Sequence, residues 1–120
     1  MNLEHLTSYL PHNADLYVKK WLENHFITLK ITRRRETKLG DYRKLVENNR
    51  HQITVNGDLN QYAFFFVFTH EVAHLKTFVQ FDSRKINPHG KEWKTIFGHL
   101  LLESIHVYPE ELQPSILHHA

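Results

Sequence analysis

His70, Glu71 and His74 stand in the order H-E-V-A-H. On a helix, residues four apart share one face, so the two imidazoles could both offer a nitrogen to one zinc ion at about 2.0–2.1 Å. Glu71 is not a ligand in this reading. It sits beside the metal, where it could take a proton from an activated water, which is the apparatus of a zinc hydrolase. The pentamer alone does not decide the matter. With 11 histidines in 120 residues, random order would produce it in about one chain in fourteen.

A catalytic zinc site takes three protein ligands and leaves a position open. The chain has no cysteine, so His, Asp or Glu must complete the set. The longer pattern H-E-x-x-H-x-x-G-x-x-H is excluded, because Thr77 and Gln80 stand where Gly and His would be needed. Glu92 and Glu103 are downstream options, and His89 is the better one. The connection from position 81 to 88 spans roughly 26–29 Å when extended, enough to return the chain to the site. Pro88 and Gly90 suit a tight entry into a helix, and Trp93 could fix the ring one turn on. Glu92 would then face the same site as an outer partner. On spacing alone, an exposed loop histidine remains the stronger reading of His89.

These groups need elements to hold them. Leu16, Val18, Trp21 and Leu22 imply a helix over residues 14–24, after a short first turn, with Asn13 as its N-cap. Alternation over 26–32 reads as a strand with one buried face. Leu39-Gly40-Asp41 reads as a bend, with a second strand over 42–46, and 51–55 as a third that is a candidate sheet edge. Asn56-Gly57-Asp58 ends it in a turn. From Asn60 the apolar pattern runs through Phe64, Phe68, Val72, Leu75 and Val79. That is too long for a typical strand, so a helix through the centre of the core is expected. Residues 82–88 form a polar connection. A last helix begins near His89 and carries Trp93, Ile96, Phe97, Leu100, Leu101 and Ile105. The tail after about residue 106 should pack loosely. His99 and His106 read as packing or outer-partner groups, and the other histidines, His51 among them, as exposed.

Length and composition allow one domain with one modest core. The longest apolar run is far too short to span a membrane, and the first residues lack the features of a signal peptide, so a cytoplasmic location is expected. Charge is unevenly spread. Residues 30–50 hold eight basic side chains (Lys30, Arg33, Arg34, Arg35, Lys38, Arg43, Lys44, Arg50) against three acidic ones, leaving +5 there and −3 elsewhere in a chain of net +2. That asymmetry hints at a polyanionic partner such as DNA; the plainer reading of Arg33-Arg34-Arg35 is a solvated hairpin end.

The sequence resembles the SprT-like family of zinc metalloproteases. The resemblance is carried by Phe68-Thr69-His70-Glu71-Val72-Ala73-His74-Leu75 and by Pro88-His89-Gly90-Lys91-Glu92-Trp93-Lys94. Lys38-Leu39-Gly40-Asp41-Tyr42 and Ile53-Thr54-Val55-Asn56 add to it, and it covers about residues 15–105. It implies zinc ligands at His70, His74 and His89, with Glu71 as the catalytic residue. It also implies an α+β zincin-like domain: an N-terminal helix, a small three-stranded, mostly antiparallel sheet, a buried HExxH helix and a second ligand-bearing helix. Eukaryotic relatives are DNA-dependent proteases that degrade proteins crosslinked to DNA. The Cys-rich zinc ribbon that many members carry is absent from this sequence, which weakens the expectation of DNA targeting. Two functions therefore stand: peptide hydrolysis, or a nucleic-acid-binding module with a structural zinc site. Tyr42, Tyr62, Tyr108 and His106 are all candidates for stabilising an oxyanion, and the sequence does not choose among them.

Overall fold

The structure, a computed structural model, describes residues 3–81 and 86–120. The chain begins with α1 (Leu3–Thr7) and α2 (Ala14–Leu22), then β1 (Ile27–Thr32), β2 (Gly40–Lys44) and β3 (His51–Asn56). It continues into α3 (Gln61–Gln80), α4 (Lys91–Glu103) and α5 (Gln113–Leu117). Among the described residues, no helix is long and apolar enough to cross a membrane.

α3 is the helix that the long apolar pattern predicts. Its start is fixed by Asn60, whose side-chain oxygen accepts from the backbone N–H groups of Tyr62 and Ala63. Such a cap satisfies donors that the first helical turn would otherwise leave free, and is worth about 1 kcal/mol. Phe64, Phe65, Phe68, Val72 and Leu75 are fully buried. The helix packs on β2 and β3 and on α2 and α4, so residues all round it are needed for the core. Glu103 joins α2 to α4 by pairing with Lys20 and accepting from Trp21 Nε1 at 3.0 Å.

The sheet order is β1-β3-β2. β1 pairs with β3 in parallel, from Ile27↔His51 to Thr32↔Asn56, and β2 pairs with β3 antiparallel, from Gly40↔Val55 to Lys44↔His51. The sheet is therefore mixed and not mostly antiparallel. β3 is central, which corrects the expectation that it forms an edge; among the described residues the edges belong to β1 and β2. The cause lies in the crossover at 33–39. It carries the chain past the position of β3, so β2 is laid down first and the following hairpin brings β3 back between β1 and β2.

Other local expectations also change. Gly40 and Asp41 are inside β2. Asn13 precedes α2 with φ 69° and makes no side-chain cap; it acts as a left-handed corner, a conformation that asparagine tolerates. His51 is buried, whereas His99 and His106 are exposed. Beyond residue 106 Tyr108 is buried, while most residues from 109 to 120 are exposed. Tyr108 is a core residue with its ring 5.7 Å from that of Phe65, and His119 meets Phe66 at 5.1 Å. The polar connection expected over 82–88 falls largely on residues 82–85, which lie outside the described residues.

Candidate metal centre

α3 places His70 and His74 one turn apart on one face, with ring centroids 5.0 Å apart. His89 reaches them from the segment before α4. It is not part of that helix, so the expected second ligand-bearing helix is instead a turn that carries His89, followed by a helix. The turn is built by Asn87, whose side-chain oxygen accepts from His89 N–H at 3.1 Å while its carbonyl accepts from Gly90 N–H at 3.0 Å. The sequence reading missed Asn87; its signal was the Asn-Pro dipeptide, a turn initiator.

The three imidazoles converge through the same atom. His89 Nε2 lies 3.0 Å from His74 Nε2 and 3.3 Å from His70 Nε2. Trp93, first-turn residue of α4 and 7% exposed, backs them all. Its ring centroid is 4.6 Å from His70, 5.3 Å from His74 and 4.8 Å from His89. Phe97 stacks behind it at 4.8 Å. Glu92 and Glu103, the carboxylate options for a third ligand, are not in the cluster.

This donor set fits a metal ion. Two nitrogens about 2.05 Å from a tetrahedral ion are about 3.3 Å apart, close to the separations here. Burial lowers the pKa of both His70 and His74 to about 4, with neighbouring imidazoles adding to the effect. Both are therefore neutral near pH 7, the state in which imidazole ligates. A nitrogen-only set suits zinc and its transition-metal neighbours better than magnesium or calcium, which prefer oxygen.

Glu71 is on the same helix and 6% exposed. Burial pushes its pKa up to about 8, and the Asp41 carboxylate adds to the rise, while Arg35 and Lys38 oppose it. The wall against it is Gly40. A Cβ there would fall 2.6 Å from Val67 Cγ1 and 3.0 Å from Glu71 Oε2, so only glycine lets β2 come this near α3. The sequence reading took Gly40 as a bend and missed this contact.

The histidines and Glu71 open into a cleft of about 410 Å³. Gly40, Asp41 and Tyr42 of β2 form one side, Thr77 and Phe78 continue α3, and Ile86 and Pro88 close the third side. Of the four oxyanion candidates, only Tyr42 lines this cleft. Its hydroxyl is 2.7 Å from His51 Nδ1, and burial raises its pKa, keeping it protonated. Tyr108 is in the core, and Tyr62 and His106 lie elsewhere.

The Glu71 shift has a measurable sign in the metal-free chain. The unfolded chain releases this proton near the ordinary 4.5, and the folded chain holds it to about 8. Stability therefore falls as pH rises through that window. Glu71→Gln removes the penalty, so its gain over wild type should grow by about 2–4 kcal/mol between pH 5 and pH 8. Urea unfolding in the presence of a chelator reads this directly; a constant difference would mean that Glu71 is hydrated. His70 and His74 act at the acid end, since the unfolded chain protonates them near 6.5 and the fold only near 4. Their penalty on acidification is common to both proteins.

The sequence pattern of the SprT-like family matches residues 8–118. The match therefore extends through α5. No curated protein and no solved structure matches the chain.

Proposed function

The chain belongs to the SprT-like family, and from that premise we propose that it is a zinc-dependent metallopeptidase with a zincin-like site. The carrying observation is the convergence of His70, His74 and His89 through Nε2 beside the buried Glu71. His70, His74 and His89 would hold the ion. When bound, it supplies Lewis acidity, polarising a carbonyl and lowering the pKa of a water.

The chain's own groups do the rest. Glu71 accepts the proton of the attacking water and later delivers it to the leaving amine. Its desolvated position favours the proton-bearing state that the second transfer requires, and a nearby cation favours the ionised state that the first requires. Of the four candidates Tyr42 alone borders the cleft, and with His51 Nδ1 donating in their shared hydrogen bond its hydroxyl proton would be free to meet negative charge developing on the substrate carbonyl. β2 borders the same cleft, and among the described residues no strand lies beside its outer edge. An extended peptide can add there through main-chain hydrogen bonds, which makes unfolded protein segments the substrate class. The test is cleavage of an unfolded protein by the zinc-loaded chain, compared with Glu71→Gln.

A nucleic-acid role is the second reading, supported by the exposure of Lys30, Arg33, Arg34, Lys38, Arg43 and Arg50. Arg35 does not belong with them, because it turns inward to Asn56. Several of the others are partly neutralised, Lys38 and Arg43 by Asp41 and Arg34 by Asp58. We expect weak binding to single-stranded DNA that falls steeply between 50 and 200 mM salt. Fluorescence polarisation at those two salts checks it, and salt-independent binding would count against a phosphate contact. A role on DNA-associated proteins depends on this result, and the cleavage assay with and without DNA connects the two readings.

A further inference from the structure

Glu71 can act only if it is held in place, and the backbone of β2 runs close against its side chain at Gly40. Gly40 leaves no room between β2 and the Glu71 side chain. Immediately before it, residues 33–39 form neither helix nor strand, and Arg33, Arg34, Glu36, Thr37, Lys38 and Leu39 are all exposed. Such a segment has little packing to fix its end.

Asn56, the last residue of β3, is 0% exposed and supplies the fixing. Its Oδ1 accepts from Arg35 Nε at 2.8 Å and from Thr32 Oγ1 at 3.3 Å. Its Nδ2 donates to Lys38 O at 3.0 Å and to Arg35 O at 3.4 Å. That uses the full capacity of the side-chain amide. Its backbone N–H donates to Leu39 O at 2.9 Å. One buried residue thus grips the end of β1 and the middle and end of the crossover, and the residue that follows the crossover is Gly40.

We propose that Asn56 is a positioning residue for the reaction assigned to Glu71: by clamping residues 33–39 it keeps Gly40 pressed against the Glu71 carboxylate. The inference rests on the peptidase reading above. Asn56 touches no substrate and acts through the β2 backbone. A purely structural asparagine would affect the amount of folded protein and leave the chemistry of the folded fraction alone.

Asn56→Asp separates these roles. The shape is nearly the same and both acceptor bonds survive, but the donor is replaced by an acceptor facing the carbonyls of Arg35 and Lys38. In the full, zinc-loaded chain, amide exchange over 38–41 should accelerate by about tenfold or more while α3 keeps its protection. The kcat should fall by about tenfold or more, with KM and zinc affinity within about threefold. The ¹³C resonance of the Glu71 carboxyl carbon should move in the substrate-free protein. Unchanged exchange would refute the clamp. Faster exchange with the same kcat and the same Glu71 resonance would reduce Asn56 to a structural role. If the wild type cleaves nothing, the peptidase reading fails, and the resonance still decides whether Asn56 positions Glu71. Should Asn56→Asp not fold, Asn56→Ser, too short to reach the Lys38 carbonyl, carries the same expectations.

Discussion

Glu71→Gln should lose about 10²–10⁴ of the cleavage rate, the usual contribution of a positioned general base, while keeping its metal. The expectation of retained metal follows from the donors. The converging atoms are the Nε2 nitrogens of three histidines, and none is changed. The fold should also survive. Glutamine has the same shape as glutamate, so the 3.0 Å approach that a Cβ at Gly40 would make to this side chain is not altered by the substitution itself. A neutral amide at a 6% exposed position removes a charge that the surroundings desolvate. The loss should therefore appear in kcat, with KM little changed, because the proton transfer belongs to the transition state. Metal content and kinetics must be measured on the same preparation. Cleavage continuing at the wild-type rate with zinc bound would remove Glu71 from the mechanism. Loss of cleavage together with loss of zinc would point to a structural failure.

Much of this centre was legible in the sequence because its chemistry is local. His70 and His74 are fixed by helical spacing, and the apolar run around them is too long for a strand. His89 was legible through Pro88, Gly90 and Trp93 and through the family resemblance, although the turn itself is built by Asn87. The sheet was less legible for a physical reason. β3 is buried along nearly its whole length, yet its sequence alternates polar and apolar residues. That alternation reads as a half-exposed strand. In the fold, His51 and Asn56 are buried with hydrogen-bond partners supplied by distant segments, Tyr42 for the one and Arg35 and Lys38 for the other. No local pattern announces such partners. Gly40 was misread for a related reason. A glycine in a strand means either a bend or a close approach, and only the position of α3 distinguishes them. The sequence thus specifies the imidazoles that cluster, while the approach of Gly40 to Glu71 depends on pairing between remote residues.

His74→Ala tests the other half of the site and should have the larger effect on the metal. His74 Nε2 is the nitrogen nearest to His89, at 3.0 Å. Without it, His70 and His89 remain as a two-nitrogen pair at 3.3 Å, below the three protein ligands that a catalytic zinc site requires. Losing an outer partner of a ligand already costs about 10–100-fold in affinity, so losing the ligand should cost at least about 100-fold. Zinc content after dialysis should fall from about one ion per chain to a small fraction. The stabilisation that zinc gives the wild type, about 2.7 kcal/mol at a hundred times its Kd, should disappear from thermal melts. The metal-free fold should persist, because alanine is the best helix former and the lost imidazole is one that burial already holds neutral. His99→Ala is the matched control: it removes an exposed histidine of α4 that lies outside the cleft, and its zinc response should be that of the wild type. Stoichiometric zinc surviving in His74→Ala would place the ion elsewhere in this histidine-rich chain, and the proposed chemistry of Glu71 would lose its metal.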